Sequence, residues 1–175
     1  MLKHPLSKLF AFAAVGVLSQ AAMAYDGTIN FQGEIIDATC SVAPGSQNKT
    51  VQLGKIVSRT LTGLGSTSTP VDFTIDLLNC DTASAKNAQV TFSGTADGTN
   101  LAIANSGQTV AAATGVAIQL KDSAGNPIKL GVASPSYILG NGTNSLQFKA
   151  NYLATKDSVT VGPANGMAQF TVAYN

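Results

Sequence analysis

The 175-residue chain has no tryptophan, one histidine and two cysteines, and only 11% of its residues are charged. The histidine is His4, in the N-terminal segment where targeting signals sit. Beyond it no imidazole remains to act as general base, proton shuttle or metal ligand. Serine and threonine are plentiful, yet a serine nucleophile would lack its base. Cys40 and Cys80 alone fall short of a zinc ligand set, so no metal is expected. Charge is scarce in both signs, with 10 basic and 9 acidic residues and no basic cluster. No basic patch suggests nucleic acid, which is not expected as a partner, and no polybasic run suggests an anionic membrane. After the first residues no apolar run is long enough to span a bilayer. No internal repeat and no linker marks a second folded domain.

Lys3 and Lys8 form a positive start, Leu9 to Leu18 is apolar apart from Gly16, and Ala22-Met23-Ala24 has the small-x-small pattern of a cleavage site. Residues 1–24 therefore read as a secretory signal peptide, with the mature chain starting at Tyr25. The mature chain then holds eight basic and nine acidic residues, in a background of Thr, Ser, Asn and Gly suited to a secreted coat-like protein. In an exported chain two cysteines are most simply one disulfide, Cys40 to Cys80. Closing about 39 residues would stabilise the fold by ~4 kcal/mol in the loop-entropy relation.

The remaining texture is all-β. Candidate strands are Ile29–Ile36, Val51–Leu53, Phe73–Leu78, Gln89–Ser93, Val116–Lys121, Leu146–Leu153 and Ala168–Tyr174. Turn residues separate them at Asp97-Gly98, Gly125-Asn126-Pro127, Gly140-Asn141-Gly142 and Gly162-Pro163. That count and spacing predict an immunoglobulin-like β-sandwich. Phe73, Ile75 and Leu77 alternate with Asp72, Thr74 and Asp76, and Leu146, Phe148, Ala150 and Tyr152 alternate with polar residues, so both apolar sets are expected to face the core. Gly63 to Thr69 reads as a flexible loop, and Thr109 to Thr114 as either loop or one helical turn.

Asp72 and Asp76 share a strand face and resemble a catalytic carboxylate pair. A solvated face explains them better, because nothing else a hydrolase needs accompanies them. Asp97-Gly98 and Asp122 to Gly125 carry too few carboxylates for calcium loops. Asn48-Lys-Thr50 and Asn141-Gly-Thr143 match a glycosylation pattern and read as loop composition.

The two ends of the mature chain are more informative. Ile29, Phe31, Gly33 and Ile35 alternate in a segment upstream of Cys40. Phe170, Val172 and Tyr174 alternate on the last strand. A β-domain that ends on an apolar strand and starts with a spare one can lend the spare strand to a neighbour, and so polymerise.

These residues resemble the type 1 pilin family of chaperone–usher fimbriae. The resemblance runs from Gly27 to Asn175. It includes Gly27 to Cys40, Val51-Gln-Leu-Gly-Lys55, Phe73 to Asp81, Gly115 to Pro127, Leu146 to Tyr152, a glycine fourteenth from the end (Gly162) and a tyrosine second from the end (Tyr174). The resemblance implies an incomplete immunoglobulin-like sandwich, residues 39–175, completed by a donor strand from a neighbouring subunit. Residues 25–38 would be the donor extension, with Ile29, Phe31, Gly33 and Ile35 entering the neighbour's groove. Gly33 would sit where the groove floor is shallow. Phe170, Val172 and Tyr174 would mark the acceptor and chaperone-binding strand. Strand addition of this kind is an established form of β-augmentation. The implied partners are identical or related pilin subunits, a periplasmic chaperone and an outer-membrane usher. The implied function is that of a structural subunit of a surface fimbria supporting adhesion, exported through the periplasm, without cofactor and without enzymatic activity. A minor adaptor subunit or a receptor-binding fimbrial module is the alternative.

Overall fold

The computed structural model describes residues 27, 29–33, 39–104 and 110–175. The expected signal peptide lies outside the described residues, as do Glu34 to Ala38. The chain divides into two units, Met1–Ile36 and Asp37–Asn175. In the first, residues 29–33 belong to no strand, and the side chains of Ile29 and Phe31 are 78% and 91% exposed.

The second unit is built from β1 (Ser41–Val42), a one-turn helix α1 (Pro44–Gln47), β2 (Val71–Cys80), β3 (Asn87–Gly94), β4 (Ala96–Asp97), β5 (Asn100–Ala102), β6 (Val116–Asp122), β7 (Pro127–Ile128), β8 (Tyr137–Ile138), β9 (Gly142–Ala154) and β10 (Ala168–Tyr174). The larger sheet runs β1-β2-β9-β6-β5-β4, with β7 also on β6; the smaller runs β10-β3-β8. Their pairings are antiparallel.

Alternation decides which faces meet. Phe73 lies opposite Phe148 and Ile75 opposite Leu146 in the β2–β9 register, so the apolar sets of both strands share one face. Ala88, Val90 and Phe92 do the same on β3 and are buried. The Phe92 ring of the smaller sheet meets Phe148 of the larger one edge-on, with centroids 5.1 Å apart, and Phe73 stacks on Phe148 at 5.7 Å. Two antiparallel sheets closed over one core make the immunoglobulin-like sandwich that the strand spacing predicts.

Three segments differ from expectation. Val51–Leu53 forms no strand, because it borders a groove that stands where a ladder partner would. Gly63 to Thr69 is a loop but is tied to β9: the Gly65 and Ser68 N–H groups donate to the carbonyls of Ala154 and Tyr152 at 2.9 and 3.0 Å, and the Ala154 N–H donates to Ser66. That strap pairs along the edge of β9 beyond the start of β2, with an isolated antiparallel bridge between Thr67 and Leu153. The short strands β1, β4, β5, β7 and β8 carry too few residues for alternation to announce them.

Candidate functional site

The site begins where the first strand stops pairing. Ser41 and Val42 pair with Leu78 and Leu77, and the Ala43 N–H donates to the Asp76 carbonyl at 2.8 Å. Pro44 then ends the ladder, because it has no N–H to give and its ring starts a helical turn. Side chains take over: the buried Ser46 hydroxyl accepts the Asp76 N–H at 2.9 Å, and the Lys49 ammonium donates to the Thr74 carbonyl at 2.8 Å. At Asp76 and Thr74 the β2 edge is thus bonded without a neighbouring strand, and residues 48–55 run free of any ladder among the described residues.

On the far side stands β10. It pairs only with β3 among the described residues, from Ala168↔Gly94 to Tyr174↔Ala88, so its other edge is open. Between the two rails lies a groove of about 1250 Å³, bounded by Asn48 to Lys55 on one side and Ala164 to Thr171 on the other. Its floor is the sandwich core itself: Phe73, Ile75, Phe92, Ile118, Leu120 and Tyr152. A second depression of about 380 Å³ continues past Lys55 and Ala164 toward Val159 and Gly162.

The last strand alternates as expected. Phe170, Val172 and Tyr174 are half-buried against the core, with Gln169, Thr171 and Ala173 exposed between them. Only Phe170 of the three lines the groove, which follows the approach to β10 and its first half. Tyr174 instead closes the far end, donating to the Cys40 carbonyl at 3.4 Å, and the Lys86 and Asn87 N–H groups donate to the Asn175 carbonyl oxygen. Burial pushes the Tyr174 and Tyr152 hydroxyls above the usual phenol value, so both stay neutral donors; Tyr152 donates to Ala164 at 2.8 Å and holds the β10 approach over the floor.

Cys40 and Cys80 form a disulfide with Cα atoms 4.2 Å apart. It joins the residue before β1 to the end of β2. Gly162 is required by close approach: a Cβ there would meet the Ala111 carbonyl oxygen at 2.5 Å and the Ala113 nitrogen at 2.7 Å. Gly33 is the opposite case, since a Cβ there would meet nothing within 4 Å. Ile35 lies outside the described residues. Sequence reasoning missed the first rail and the Pro44 break; Ala43-Pro44-Gly45-Ser46, a cluster of turn residues, was the available signal. Asp72 and Asp76 are surface groups, paired with Lys149 at 2.7 Å and with the Ser145 hydroxyl at 2.7 Å.

Comparison with known proteins places this immunoglobulin-like sandwich among pilus subunits. Residues 29–175 match the fimbrial protein family, and the chain belongs to it. It is 40% identical over 177 residues to the type-1 fimbrial protein A chain of Escherichia coli, covering 95% of this chain and 96% of that one. It is 36% identical over 169 residues to long polar fimbria protein A of Salmonella typhimurium, with 95% of each covered. Among solved structures it is similar to an antigen and type I fimbria protein of Burkholderia pseudomallei (TM-score 0.60, 37% identity, 85% of this chain and 97% of that one). It shares its fold with the P pilus rod subunit PapA (TM-score 0.64, 24% identity, 79% of this chain and all of that one). The chain is a structural subunit of a cell-surface fimbria, and its partners are other pilin subunits.

Proposed function

We propose that the subunit polymerises by strand donation. Residues 25–38 of one copy enter the groove of the next, pair with the open edge of β10 and place Ile29, Phe31, Gly33 and Ile35 toward the floor. The observation that carries this reading is the coincidence of an unpaired strand edge with a groove that opens on the core. Unpaired edges and exposed core are both costly and prone to aggregation, and one added strand repairs both. The extension is suited to donation, because its apolar residues alternate and two of them are exposed in their own chain. Gly33 has no steric reason to be glycine in its own chain, which supports a reason in the neighbour's groove.

An open groove also needs cover before assembly. A periplasmic chaperone serves as the temporary strand donor, an outer-membrane usher as the site of exchange, and residues 1–24 as the export signal. The groove takes a strand rather than a substrate, and the protein works as a structural polymer rather than as an enzyme.

The test is electrophoresis in SDS of material sheared from the cell surface, unheated against boiled. Strand-donated polymers persist as a ladder when unheated and collapse to one band when boiled. Deleting Tyr25–Asp37 abolishes the ladder. A ladder of normal length from that deletion refutes the donor assignment.

A further inference from the structure

The charges of the chain are divided unevenly between the extension and the domain. Residues 25–38 contain three acidic residues, Asp26, Glu34 and Asp37, and no basic one. Residues 39–175 contain eight basic and six acidic residues. The imbalance is concentrated at the groove. Lys49 and Lys55 are the charged residues that line it, and none of the described lining residues is acidic. Lys55 also lines the second depression, so it stands where the two meet. Lys49 and Lys55 lie on either side of Val51 and Leu53, the half-buried residues of that rail. On the extension, Asp26 and Asp37 bracket the alternating run, and Glu34 falls on the face opposite Ile29, Phe31, Gly33 and Ile35.

We propose that the groove of one copy captures the extension of another by charge, with Lys49 and Lys55 drawing in the carboxylates of Asp26, Glu34 and Asp37 before the apolar residues seat. This rests on strand donation as the mode of assembly. The occupant is a second copy of this chain. Its acidic extension is complementary to the cationic rim, whereas an apolar groove alone would accept any alternating strand. Charge adds what burial lacks: reach across solvent and discrimination between segments of similar hydrophobicity. The two lysines are not equivalent. Lys49 is held by the Thr74 carbonyl and hydroxyl, and Thr74 in turn donates to Asp76 at 3.4 Å, so its charge is partly answered. Lys55 has no hydrogen bond or ion pair among the described residues, which makes it the stronger lure.

The experiment follows growth of the SDS-resistant ladder from purified full-length mature subunit over time. The wild type is compared with the triple variant Asp26→Asn, Glu34→Gln, Asp37→Asn, and the variant-to-wild-type rate ratio is read at each salt concentration so that salt effects common to both cancel. At about 0.01 M salt the triple variant is expected to grow about tenfold more slowly, and the difference should vanish at about 1 M, where screening acts within one contact distance. Lys55→Glu should slow growth similarly at low salt, and pairing it with Glu34→Lys should restore much of the rate. Equal rates for wild type and triple variant at low salt overturn the proposal, as does a Lys55→Glu defect that Glu34→Lys leaves untouched. Deletion of Tyr25–Asp37 runs alongside: a surviving ladder refutes strand donation itself, and its loss together with charge-independent rates refutes only the steering.

Discussion

Phe31 provides the sharpest test of the donor strand. Its side chain is 91% exposed in its own chain, so docking would remove nearly its whole surface from water. Full burial of such a side chain stabilises by roughly 1.5–3 kcal/mol, and Phe31→Ala should forfeit about 2 kcal/mol of it. At 1.4 kcal/mol per tenfold, that is about a 30-fold weaker hold on the neighbour's groove. The neighbouring Gln32 is also exposed, but the two-residue period turns it away from the groove floor. A synthetic peptide of residues 25–38 should inhibit growth of the SDS-resistant ladder by occupying the groove. The Phe31→Ala peptide should need about 30-fold more for half-inhibition, and the Gln32→Ala peptide about the wild-type amount. Equal potency of the Phe31→Ala and wild-type peptides would refute the burial argument. Equal losses for Phe31→Ala and Gln32→Ala would refute the strand geometry.

A Cβ at Gly33 would meet nothing within 4 Å in its own chain, so the Gly33→Leu subunit should reach wild-type levels while its ladder is shortened or lost; a wild-type ladder would mean the groove has room there. Cys40→Ala removes a bridge of sequence separation 40 and should cost ~4 kcal/mol, read as a fall of roughly 10 °C in the thermal midpoint; an unchanged midpoint would contradict it. Asp122 is a buried carboxylate at the β6–β7 turn. Burial raises its pKa, but hydrogen bonds from the Asn126 side chain and backbone, and from the Ala124 and Gly125 amides, outweigh burial and hold it below the usual value. A depressed carboxylate contributes stability that is present above its unfolded-state pKa and lost as the pH falls through its folded one. Asp122→Asn should therefore unfold at lower denaturant than wild type near neutrality, with the gap closing in acid; a gap independent of pH would sink the assignment.

The long strands were legible because each buries one face over several residues. Phe73 to Leu77 and Leu146 to Tyr152 carry a two-residue period that only an apolar core can use. The strands β4 and β5 were not legible, since two or three residues are too few to show a period. Val51–Leu53 misled for a different reason. Its alternation is genuine, and Leu53 packs on the core, but the groove stands where a ladder partner would. Alternation reports which side of a segment is apolar, not whether a strand lies beside it. The same ambiguity governs the extension. Ile29 and Phe31 have the pattern of a core strand and are exposed, so the same period that elsewhere marks a strand of the fold here marks apolar side chains left uncovered in their own chain.

The disulfide gains its meaning from where the extension is rooted. In the fibre proposed above, tension would run along each extension into the domain that owns it, and the chain enters that domain at Cys40. The first strand could not carry the load alone, because β1 has two residues and Pro44 ends its ladder. Cys80 ends β2, whose register with β9 runs from Val71↔Ala150 to Leu77↔Asn144, and β9 is bonded in turn to β6. The bridge therefore hands tension from a strand of two residues to the end of β2, which beyond an irregularity between Leu77 and Cys80 pairs with β9 over seven consecutive residues. Pro44 and Cys40 solve two halves of one problem. The proline frees the rail that opens the groove and so shortens the strand nearest the proposed point of pull, and the disulfide would restore the mechanical continuity which that shortening removes.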